Sequence, residues 1–325
     1  MMLKLNSTQY AILTILSDGL CHSGTELGQA LSISRSAVWK QIKQLNEWAI
    51  PILSIPQQGY QLKQSLILLD EELIVKQLAG LPVRLHLFNS IDSTNSYLKD
   101  LPISEYLEVC CAEQQTQGRG RFGRTWHSPF GENIYCSSRW KLECNLAKLS
   151  GLSLITSLAV VKTLDQFIET PEIKIKWPND ILWRDKKLCG SLIEIIAESN
   201  AIAQVVIGIG LNVNSDTEHH PLPDKPWCSL YELSAHFYNR NEIIAHLITT
   251  LNRYLTQFLA HDLQFFMEEW QRYDYLVGKS ITVSQALESI TGVACGINSS
   301  GQLILQDDEG KVHLFSSGDT SLKAS

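Results

Sequence analysis

The sequence predicts a multidomain α/β (α+β) protein, and three patterns along the chain support that prediction. Residues 1–65 contain short helical runs joined by a tight turn and followed by a hairpin-like segment. Residues 66–275 alternate strand-like apolar runs with helix-like stretches, which is typical of a mixed sheet covered by helices. Residues 276–325 space glycines between β-rich runs, which predicts a small all-β barrel. At 325 residues, the chain is long enough for three such domains.

The first of these domains has the layout of a winged helix-turn-helix. Ser23 and Glu26 have the spacing of a capping box and begin the second helix. A third helix begins near Arg35, and a turn containing Gly59 predicts the hairpin that forms the wing. A helix of this kind enters the major groove of DNA with its outward face. On that face we predict four DNA-binding residues, Arg35, Ser36, Lys40 and Lys43.

The electrostatic attraction of this domain for DNA is weak. Residues 1–65 carry five basic and three acidic residues, a net charge of +2, within a chain of net charge −7. Affinity for DNA rises with the number of phosphates that a protein neutralises, so one such domain is expected to bind poorly. We therefore expect DNA binding to need a homodimer. The alternative is a winged helix used for contacts with protein or as a packing module.

The most distinctive stretch of the chain is the glycine–arginine loop, residues 118–124, which consists of three glycines, three arginines and Phe122. Its spacing satisfies G-x-G-x-x-G, but polar residues 113–117 precede it and Pro129 follows it. The strand and helix of a dinucleotide-binding motif are therefore missing. A mobile cationic loop with glycine hinges is suited to close over a phosphate or carboxylate. The alternative is an arginine-rich surface patch that binds nucleic acid.

Three small polar residues, Ser93, Thr94 and Asn95, follow the strand-like run 83–88 and open a helix. Their hydroxyl and amide groups can bind a neutral polar group of a ligand. They serve equally well as helix N-caps, so both interpretations stay open on this pattern.

Further along the chain, polar residues again stand beside predicted strands. Asn179 and Asp180 follow a strand in a Trp-Pro-Asn-Asp sequence, where they form a reverse turn or contribute ligand groups. In the buried run 205–213, Gly208 and Gly210 leave room for a neighbouring ligand or backbone. Lys187 stands before an alternating strand, and a single lysine there is usually solvated.

Several chemical classes lack their motifs. The sequence has no Walker loop, no G-x-S-x-G elbow and no H-E-x-x-H motif, so covalent serine catalysis and zinc hydrolysis lack support. His219 and His220 have no third ligand at suitable spacing, and we predict no metal-ligating residues. None of the eight cysteines forms a C-x-x-C pair, which favours reduced thiols and a cytoplasmic location. No apolar run is long enough for a membrane span.

Together, these patterns resemble the bifunctional biotin–protein ligases that also act as repressors of the biotin operon. The resemblance covers the whole chain and rests on five motifs in order. The motifs are Ser-Thr-Asn from Ser93, GRGRFGRTW after Gln115, KWPND ending at Asp180, KLCGSLIE beginning at Lys187 and GIGLN ending at Asn212. It implies a winged helix, a mixed-sheet catalytic domain of the biotin/lipoate ligase type and an SH3-like C-terminal barrel.

The resemblance implies a reaction in two steps. Biotin and ATP, with Mg²⁺, form biotinyl-5′-adenylate and pyrophosphate. A lysine of the biotin carboxyl carrier protein of acetyl-CoA carboxylase then attacks the mixed anhydride, so the enzyme needs no nucleophile of its own. The adenylate would also act as corepressor, by favouring a homodimer that binds operator DNA.

The resemblance also implies roles for individual residues. The biotin-binding residues would be Ser93, Thr94, Asn95, Gln115, Arg119, Gly120, Arg121 and Lys187. The adenylate-binding residues would be Asn179, Asn212 and Trp227, and the indole of Trp227 offers a face to adenine. The catalytic residues would be Lys187, Arg121 and Asp180. Catalysis would come from positioning and charge neutralisation, with Asp180 helping to place magnesium or the incoming lysine.

Two positions depart from the pattern of the family, and two other functions fit parts of it. Phe122 stands where relatives often carry another arginine, and His127 stands where an aromatic such as phenylalanine is usual. The other functions are a transcription factor that senses biotin or a similar acid without catalysis, and a lipoate or other acyl ligase. Labelling of a carboxylase carrier domain with biotin and ATP would separate all three.

Overall fold

The structure is a computed structural model of the chain. It describes residues 5–48, 50–63, 66–78, 80–144, 146–169, 172–199, 202–218, 226–285 and 288–322. The histidine pair His219 and His220 lies outside the described residues, as does the predicted domain boundary at residue 65.

The N-terminal part forms the predicted winged helix-turn-helix. Its helices are α1 (Ser7–Leu16), α2 (Gly24–Leu31) and α3 (Arg35–Glu47), and its wing is the antiparallel hairpin of β1 (Ile52–Ile55) and β2 (Gly59–Leu62). Side chains of Asn6, Ser23 and Ser34 cap the three helices at their N-termini, and the predicted capping box of Ser23 and Glu26 is confirmed. These caps satisfy backbone N–H groups that a short helix leaves unpaired.

The central part is built on a seven-stranded mixed sheet. Its strands are β3 (Val83–Phe88), β4 (Leu107–Ala112), β5 (Ile134–Leu142), β6 (Ile173–Lys176), β7 (Asp180–Trp183), β8 (Lys186–Ser199) and β9 (Ile202–Leu211). They lie in the order β3-β4-β5-β9-β8-β7-β6, in which β3 and β4 are parallel and every other pair is antiparallel. The predicted mixed sheet is therefore confirmed.

Helices cover this sheet unequally. They are α4 (Glu71–Gln77), α5 (Thr94–Asp100), α6 (Leu152–Leu164), α7 (Leu230–Ser234), α8 (Arg240–His261) and α9 (Met267–Tyr273). Helices α6 and α8 pack on one face, where Val205, Ile207 and Ile209 of β9 join the main hydrophobic core. On the opposite face α5 packs against Val206, and the rest of that face stays open. Because side chains alternate along a strand, the residues in register with Val206 face this open side.

The sequence also predicts helices over 146–167 and 241–266, and both α-helices are shorter than predicted. The first stretch is a 3-10 turn over Leu146–Gly151 followed by α6, whose N-cap is Gly151; a Cβ on Gly151 would lie only 3.2 Å from Phe258. The helical stretch 241–266 ends as an α-helix at His261, since Asp262 takes a positive φ of 59° and a 3-10 turn follows.

The C-terminal part is an antiparallel sheet of five strands, in the order β13-β12-β11-β10-β14. The strands are β10 (Ser280–Ser284), β11 (Ser289–Ile297), β12 (Leu303–Gln306), β13 (Val312–Phe315) and β14 (Asp319–Leu322). Its inner side chains, such as Ile281 and Leu305, belong to the same hydrophobic core as the central sheet. The indole N–H of Trp177 donates to the carbonyl of Gly301 at 3.0 Å, which ties this sheet to the turn before β7.

The winged helix shares a hydrophobic cluster with the central part. Phe130 and Leu66 are both buried and pack with the core of the winged helix, which includes Ile12 and Ile42. Gly131 follows Phe130 with a positive φ of 77°, and a Cβ there would lie 3.1 Å from a methyl group of Leu66. The peptide that follows the glycine–arginine loop therefore passes directly under the winged helix.

A buried ion pair fixes the same junction. Arg240 is fully buried and donates to the Glu113 carboxylate at 2.6 Å and to the carbonyl of Ile67 at 2.6 Å. The other oxygen of Glu113 accepts the backbone N–H of Leu69 at 2.6 Å. These charge-assisted bonds hold the chain between wing and sheet against the end of β4. Within the described part of the chain, no helix is both long and apolar enough to cross a membrane.

Candidate active site

One cavity of about 680 Å³ opens on the α5 side of the central sheet. Every residue predicted for biotin, for the adenylate or for catalysis lines it. They are Ser93, Thr94, Asn95, Gln115, Arg119, Gly120, Arg121, Asn179, Asp180, Lys187, Asn212 and Trp227. Residues from five separated stretches of the sequence thus meet around a space large enough for a ligand of drug size.

One end of the cavity is a network of neutral polar groups. The backbone N–H and the hydroxyl of Thr94 both donate to the Gln115 side-chain oxygen, at 2.9 and 3.1 Å. The Ser137 hydroxyl lies 2.7 Å from the Thr94 hydroxyl and 2.6 Å from the Asn95 side-chain oxygen, so it can donate to either. Thr94 and Asn95 therefore present both donors and acceptors within a few ångströms of each other.

The two interpretations of the Ser-Thr-Asn motif apply to different residues: Ser93 caps a helix, whereas the side chains of Thr94 and Asn95 face the cavity. Ser93 is the N-cap of α5 and accepts the backbone N–H of Ser96. Thr94 and Asn95 lie inside the helix, and their side chains face the cavity network rather than capping the helix. Ser137 was not predicted as a site residue. It lies on β5 opposite Gly208. Its only signal was its position on the same strand face as Tyr135, which also lines the cavity.

The floor of the cavity depends on glycines that face each other on β8 and β9. Gly190 and Gly210 are paired across these strands, and the indole of Trp126 lies against both. A Cβ on Gly210 would be 2.4 Å from the Trp126 ring, and one on Gly208 would be 2.1 Å from the Asn95 side chain. The room that the glycines leave is therefore taken by side chains of the protein that line the cavity.

The glycine–arginine loop is folded back on itself above this floor. The N–H of Gly120 donates to the carbonyl of Arg124 at 2.7 Å, and the N–H of Trp126 donates to the carbonyl of Gly118 at 2.9 Å. At the tip, Phe122 takes a positive φ of 54° and its ring is 63% exposed. The residue that departs from the family pattern thus points away from the protein interior.

Arg121 reaches from the loop into the cavity. Its guanidinium donates to the Asn179 side-chain oxygen at 3.0 Å, while the Asn179 amide donates to the carbonyl of Ser191 at 2.7 Å. Burial lowers the pKa of Arg121, and the carboxylates of Asp180 and Asp319 partly oppose that effect. A cation held in a partly dry site attracts an anionic ligand more strongly than one in water.

The second cation of the site is Lys187. Its ammonium lies 2.7 Å from the Asp180 carboxylate and 5.3 Å from the centre of the Trp126 ring. The lysine is 29% exposed, so it is not the freely solvated side chain that its position alone suggested. Arg121 and Lys187 therefore bring two positive charges to the same cavity, with Asp180 orienting one of them.

Asn212 supports the wall on which Trp227 lies. The Asn212 amide donates to the carbonyls of Cys228 at 3.0 Å and Lys187 at 3.4 Å, which fixes the backbone around Trp227. Lys187 and Trp227 are themselves bridged through their backbones. Part of the effect expected of Asn212 is thus the positioning of its neighbours.

The C-terminal sheet closes the remaining side of the cavity. Gly318, Asp319 and Thr320 line it, and Arg124 of the glycine–arginine loop is ion-paired with Asp319. Hydrogen bonding to Asp319 raises the pKa of Arg124. The sequence predicts no function for this part, because no local pattern around Asp319 distinguishes it from an ordinary turn residue.

A further carboxylate lies beside the cavity on β8. Glu194 accepts hydrogen bonds from the Asn95 amide at 2.9 Å and the Lys99 ammonium at 2.9 Å, and it pairs with Arg119 at 3.1 Å. Burial alone would raise the pKa of Glu194, but the bonds from Lys99 and Asn95 and the charge of Arg119 outweigh it, and the pKa is lowered. The carboxylate is therefore held in its charged form.

Comparison with known proteins shows what this arrangement is similar to. Three family models match the chain: an HTH domain at residues 8–61, the biotin/lipoate A/B protein ligase family at 87–212 and a biotin protein ligase C-terminal domain at 276–323. The bifunctional ligase/repressor BirA of Escherichia coli is 34% identical over 99% of both chains. The chain belongs to the bifunctional ligase/repressor family.

Other members of the family agree with this assignment. The bifunctional ligase/repressor BirA of Bacillus subtilis is 30% identical over 90% of this chain and 92% of that protein. Among solved structures, the biotin protein ligase of Aquifex aeolicus in complex with biotin and ATP superposes with a TM-score of 0.62. That protein is 28% identical, and the match covers 74% of this chain and 99% of the other.

The residues predicted to contact DNA are exposed, as contact with the major groove would require. Arg35, Ser36, Lys40 and Lys43 all face solvent on α3. Trp39 is 56% exposed on the same helix, with the Lys43 ammonium 5.7 Å from the centre of its ring. Among the described residues, no three His, Cys, Asp or Glu side chains form a group that could hold a metal ion.

Proposed function

We propose that the chain is a biotin–protein ligase that activates biotin with ATP and transfers it to a lysine of a carrier protein. The observation that carries this proposal is the cavity itself. It joins a neutral polar network around Thr94 and Gln115 to a cationic region around Arg121 and Lys187. Biotin has the same two ends, a neutral ureido group and a carboxylate.

The ureido head of biotin needs donors and acceptors close together. The side chains of Thr94, Asn95, Gln115 and Ser137 offer both, and they already form hydrogen bonds with each other. Because these groups are preorganised and Thr94, Asn95 and Ser137 are buried, an analogue that lacks one ureido group would leave a protein group unpaired at a cost of about 1–3 kcal/mol. Such a site would select biotin over lipoate, whose ring lacks that group.

Activation of the carboxylate needs charge neutralisation rather than a nucleophile. The carboxylate oxygen of biotin attacks the α-phosphorus of ATP, the bond to the β-phosphate oxygen breaks, and pyrophosphate leaves. Arg121 and Lys187 would hold the negative charge shared by the carboxylate and the α-phosphate. Asp180, at 2.7 Å, would keep the Lys187 ammonium aimed at that centre. The acceptor lysine then attacks the acyl carbon and releases AMP.

The nucleotide would lie towards Asn179, Asn212 and Trp227, with adenine against the indole of Trp227. Mg²⁺ commonly binds through one or two carboxylates together with substrate phosphates. Asp180 supplies a carboxylate within the cavity, so it is the side chain that would hold the ion beside bound ATP. Mg²⁺ would neutralise charge on the departing pyrophosphate.

We further propose that the ligase is also a biotin-responsive repressor. The basic face of α3 would bind operator DNA, and the bound adenylate would favour a homodimer that presents two such helices. The weak charge of one winged helix supports the need for two copies. The acceptor would be the biotin carboxyl carrier protein of acetyl-CoA carboxylase, and the enzyme would act in the cytoplasm.

The deciding experiment is transfer of biotin to a purified carboxylase carrier domain in the presence of ATP and Mg²⁺. A ligase labels the carrier lysine and releases one pyrophosphate for each biotin consumed. A sensor without catalysis binds biotin and labels nothing. A lipoate ligase labels a lipoyl domain in preference to the biotin carrier, and either outcome would end the proposal.

A further inference from the structure

Glu194 gathers three donors that come from two different parts of the site. Asn95 and Lys99 belong to helix α5, and Arg119 belongs to the glycine–arginine loop. All three reach the same carboxylate within 3.1 Å. The side chain of Glu194 is 19% exposed, whereas that of Arg119 is 42% exposed. A motif residue with no assigned role therefore attaches the loop to β8 of the central sheet, beside the contacts that Arg121 and Arg124 make elsewhere.

The guanidinium of Arg119 makes this attachment. Its Nη2 atom donates to Glu194 and also to the hydroxyl of Ser96 at 3.0 Å, so the guanidinium lies along α5. The backbone of Arg119 pairs with Thr125 across the loop. Arg121, two residues later, is instead directed to Asn179. The two arginines therefore have different positions. The side chain of Arg119 fixes the base of the loop, and that of Arg121 faces the ligand space.

From this geometry we infer that Glu194 is a positioning residue that latches the glycine–arginine loop closed through Arg119. The effect of this latch on ligand release rests on the proposed ligase function. The pair lies at the rim of the cavity, where water can compete for both charges. A bond of this kind is strong enough to favour the closed loop and weak enough to open for entry and release of ligands.

The chain provides a matched control for this latch. Lys99 binds the same carboxylate at 2.9 Å, but it joins α5 to β8 and does not touch the loop. Removing the Lys99 charge also takes a cation from Glu194, but it leaves the contact between Glu194 and Arg119 of the loop in place. Comparing substitutions of Lys99 and Arg119 therefore distinguishes a specific release of the loop from a general weakening of the contacts around Glu194.

The primary test measures amide hydrogen exchange in the full-length chain without ligand. Glu194→Gln and Arg119→Met are each expected to speed exchange in the loop, at Gly120 and Trp126, about threefold to tenfold, a range suited to a partly exposed ion pair. The double variant should be no faster than either single one, because both remove one interaction. Exchange within β9 should not change.

The control variant is Lys99→Met, which should leave loop exchange at the wild-type rate. Loop exchange in Glu194→Gln within twofold of wild type would overturn the latch, and so would equal acceleration in Lys99→Met. Additive effects in the double variant would show that Glu194 and Arg119 act separately.

A second measurement connects the latch to ligand release. In stopped-flow experiments with biotin, Glu194→Gln and Arg119→Met should raise the dissociation rate by the same factor as loop exchange, and Lys99→Met should not. A wild-type chain that binds no biotin would refute the ligase proposal and leave the exchange test of the latch intact. Faster loop exchange without faster dissociation would overturn the link between loop opening and release.

Discussion

A methyl group added at Gly210 tests the floor of the cavity. In Gly210→Ala, the new Cβ would lie 2.4 Å from Cε2 of Trp126 and 2.7 Å from two more atoms of the indole. Ordinary contact begins at 3.4 Å, so the ring must move by about 1 Å. The variant changes no charge and no hydrogen bond, and its effect would come from packing alone.

The indole has little freedom to yield. The same ring lies over Gly190, where a Cβ would be 3.3 Å from it, and the Lys187 ammonium lies over its face. The backbone N–H of Trp126 is bonded to Gly118 at the base of the loop. Overpacking of a rigid side chain costs about 1–3 kcal/mol. If that cost falls on the closed, reactive arrangement, kcat/KM for adenylate formation drops about fivefold to 150-fold.

Pyrophosphate release with biotin and ATP measures this loss, and thermal unfolding separates it from a loss of stability. Trp126→Leu provides the matched background, because the smaller side chain leaves space for the methyl group. Adding Gly210→Ala to Trp126→Leu should cost little beyond the single variant. A full loss in that background, or no loss from Gly210→Ala alone, would refute the packing argument.

Three further predictions follow from other parts of the structure. Arg121→Ala loses a charge-assisted contact worth about 1.5–3 kcal/mol and should slow pyrophosphate release about tenfold to 150-fold, whereas an unchanged rate would contradict its role. Lys40→Ala should lower the salt dependence of DNA binding by about one counterion per subunit, and an unaltered slope would remove Lys40 from the DNA surface. The pKa of Glu108 is lowered because hydrogen bonds from His86 and Ser104 and the charge of Arg84 outweigh its burial. The stability it contributes is therefore present above the ordinary carboxyl pKa and is lost as the pH falls through the lowered value. Glu108→Gln should flatten that acid limb in unfolding experiments, and identical limbs would exclude the effect.

Much of the fold was predictable because its signals are local. The capping box of Ser23 and Glu26, the turn at Gly59 and the strand-like run 83–88 each lie within a few residues, and each is found where the sequence places it. The ends of α6 and α8 were not predictable in the same way. Helix α6 begins after Gly151, which lies against Phe258 far along the chain, and α8 ends where Asp262 takes a positive φ.

The candidate site was likewise predictable where its signals are local and not where they depend on distant residues. The residues predicted for biotin, adenylate and catalysis come from short patterns that the resemblance carries, and the structure brings all of these residues to one cavity. Ser137, Glu194 and Asp319 were missed as functional candidates. Each owes its place to a partner far away in the sequence: Ser137 to Thr94, Glu194 to Arg119 and Asp319 to Arg124. Glu194 even ends a quoted motif, but a contact between residues so far apart in the sequence cannot be read from either stretch alone.

The position of Phe130 has a consequence for any attempt to separate the two activities by truncation. Its ring fills the base of the winged helix, although it belongs to the peptide that leads from the glycine–arginine loop to β5. An excised ligase that begins after the wing would present this aromatic ring to water, only a few residues from the reacting groups. Such a fragment would be prone to self-association and to a displaced loop, so its lost activity would say little about DNA binding itself.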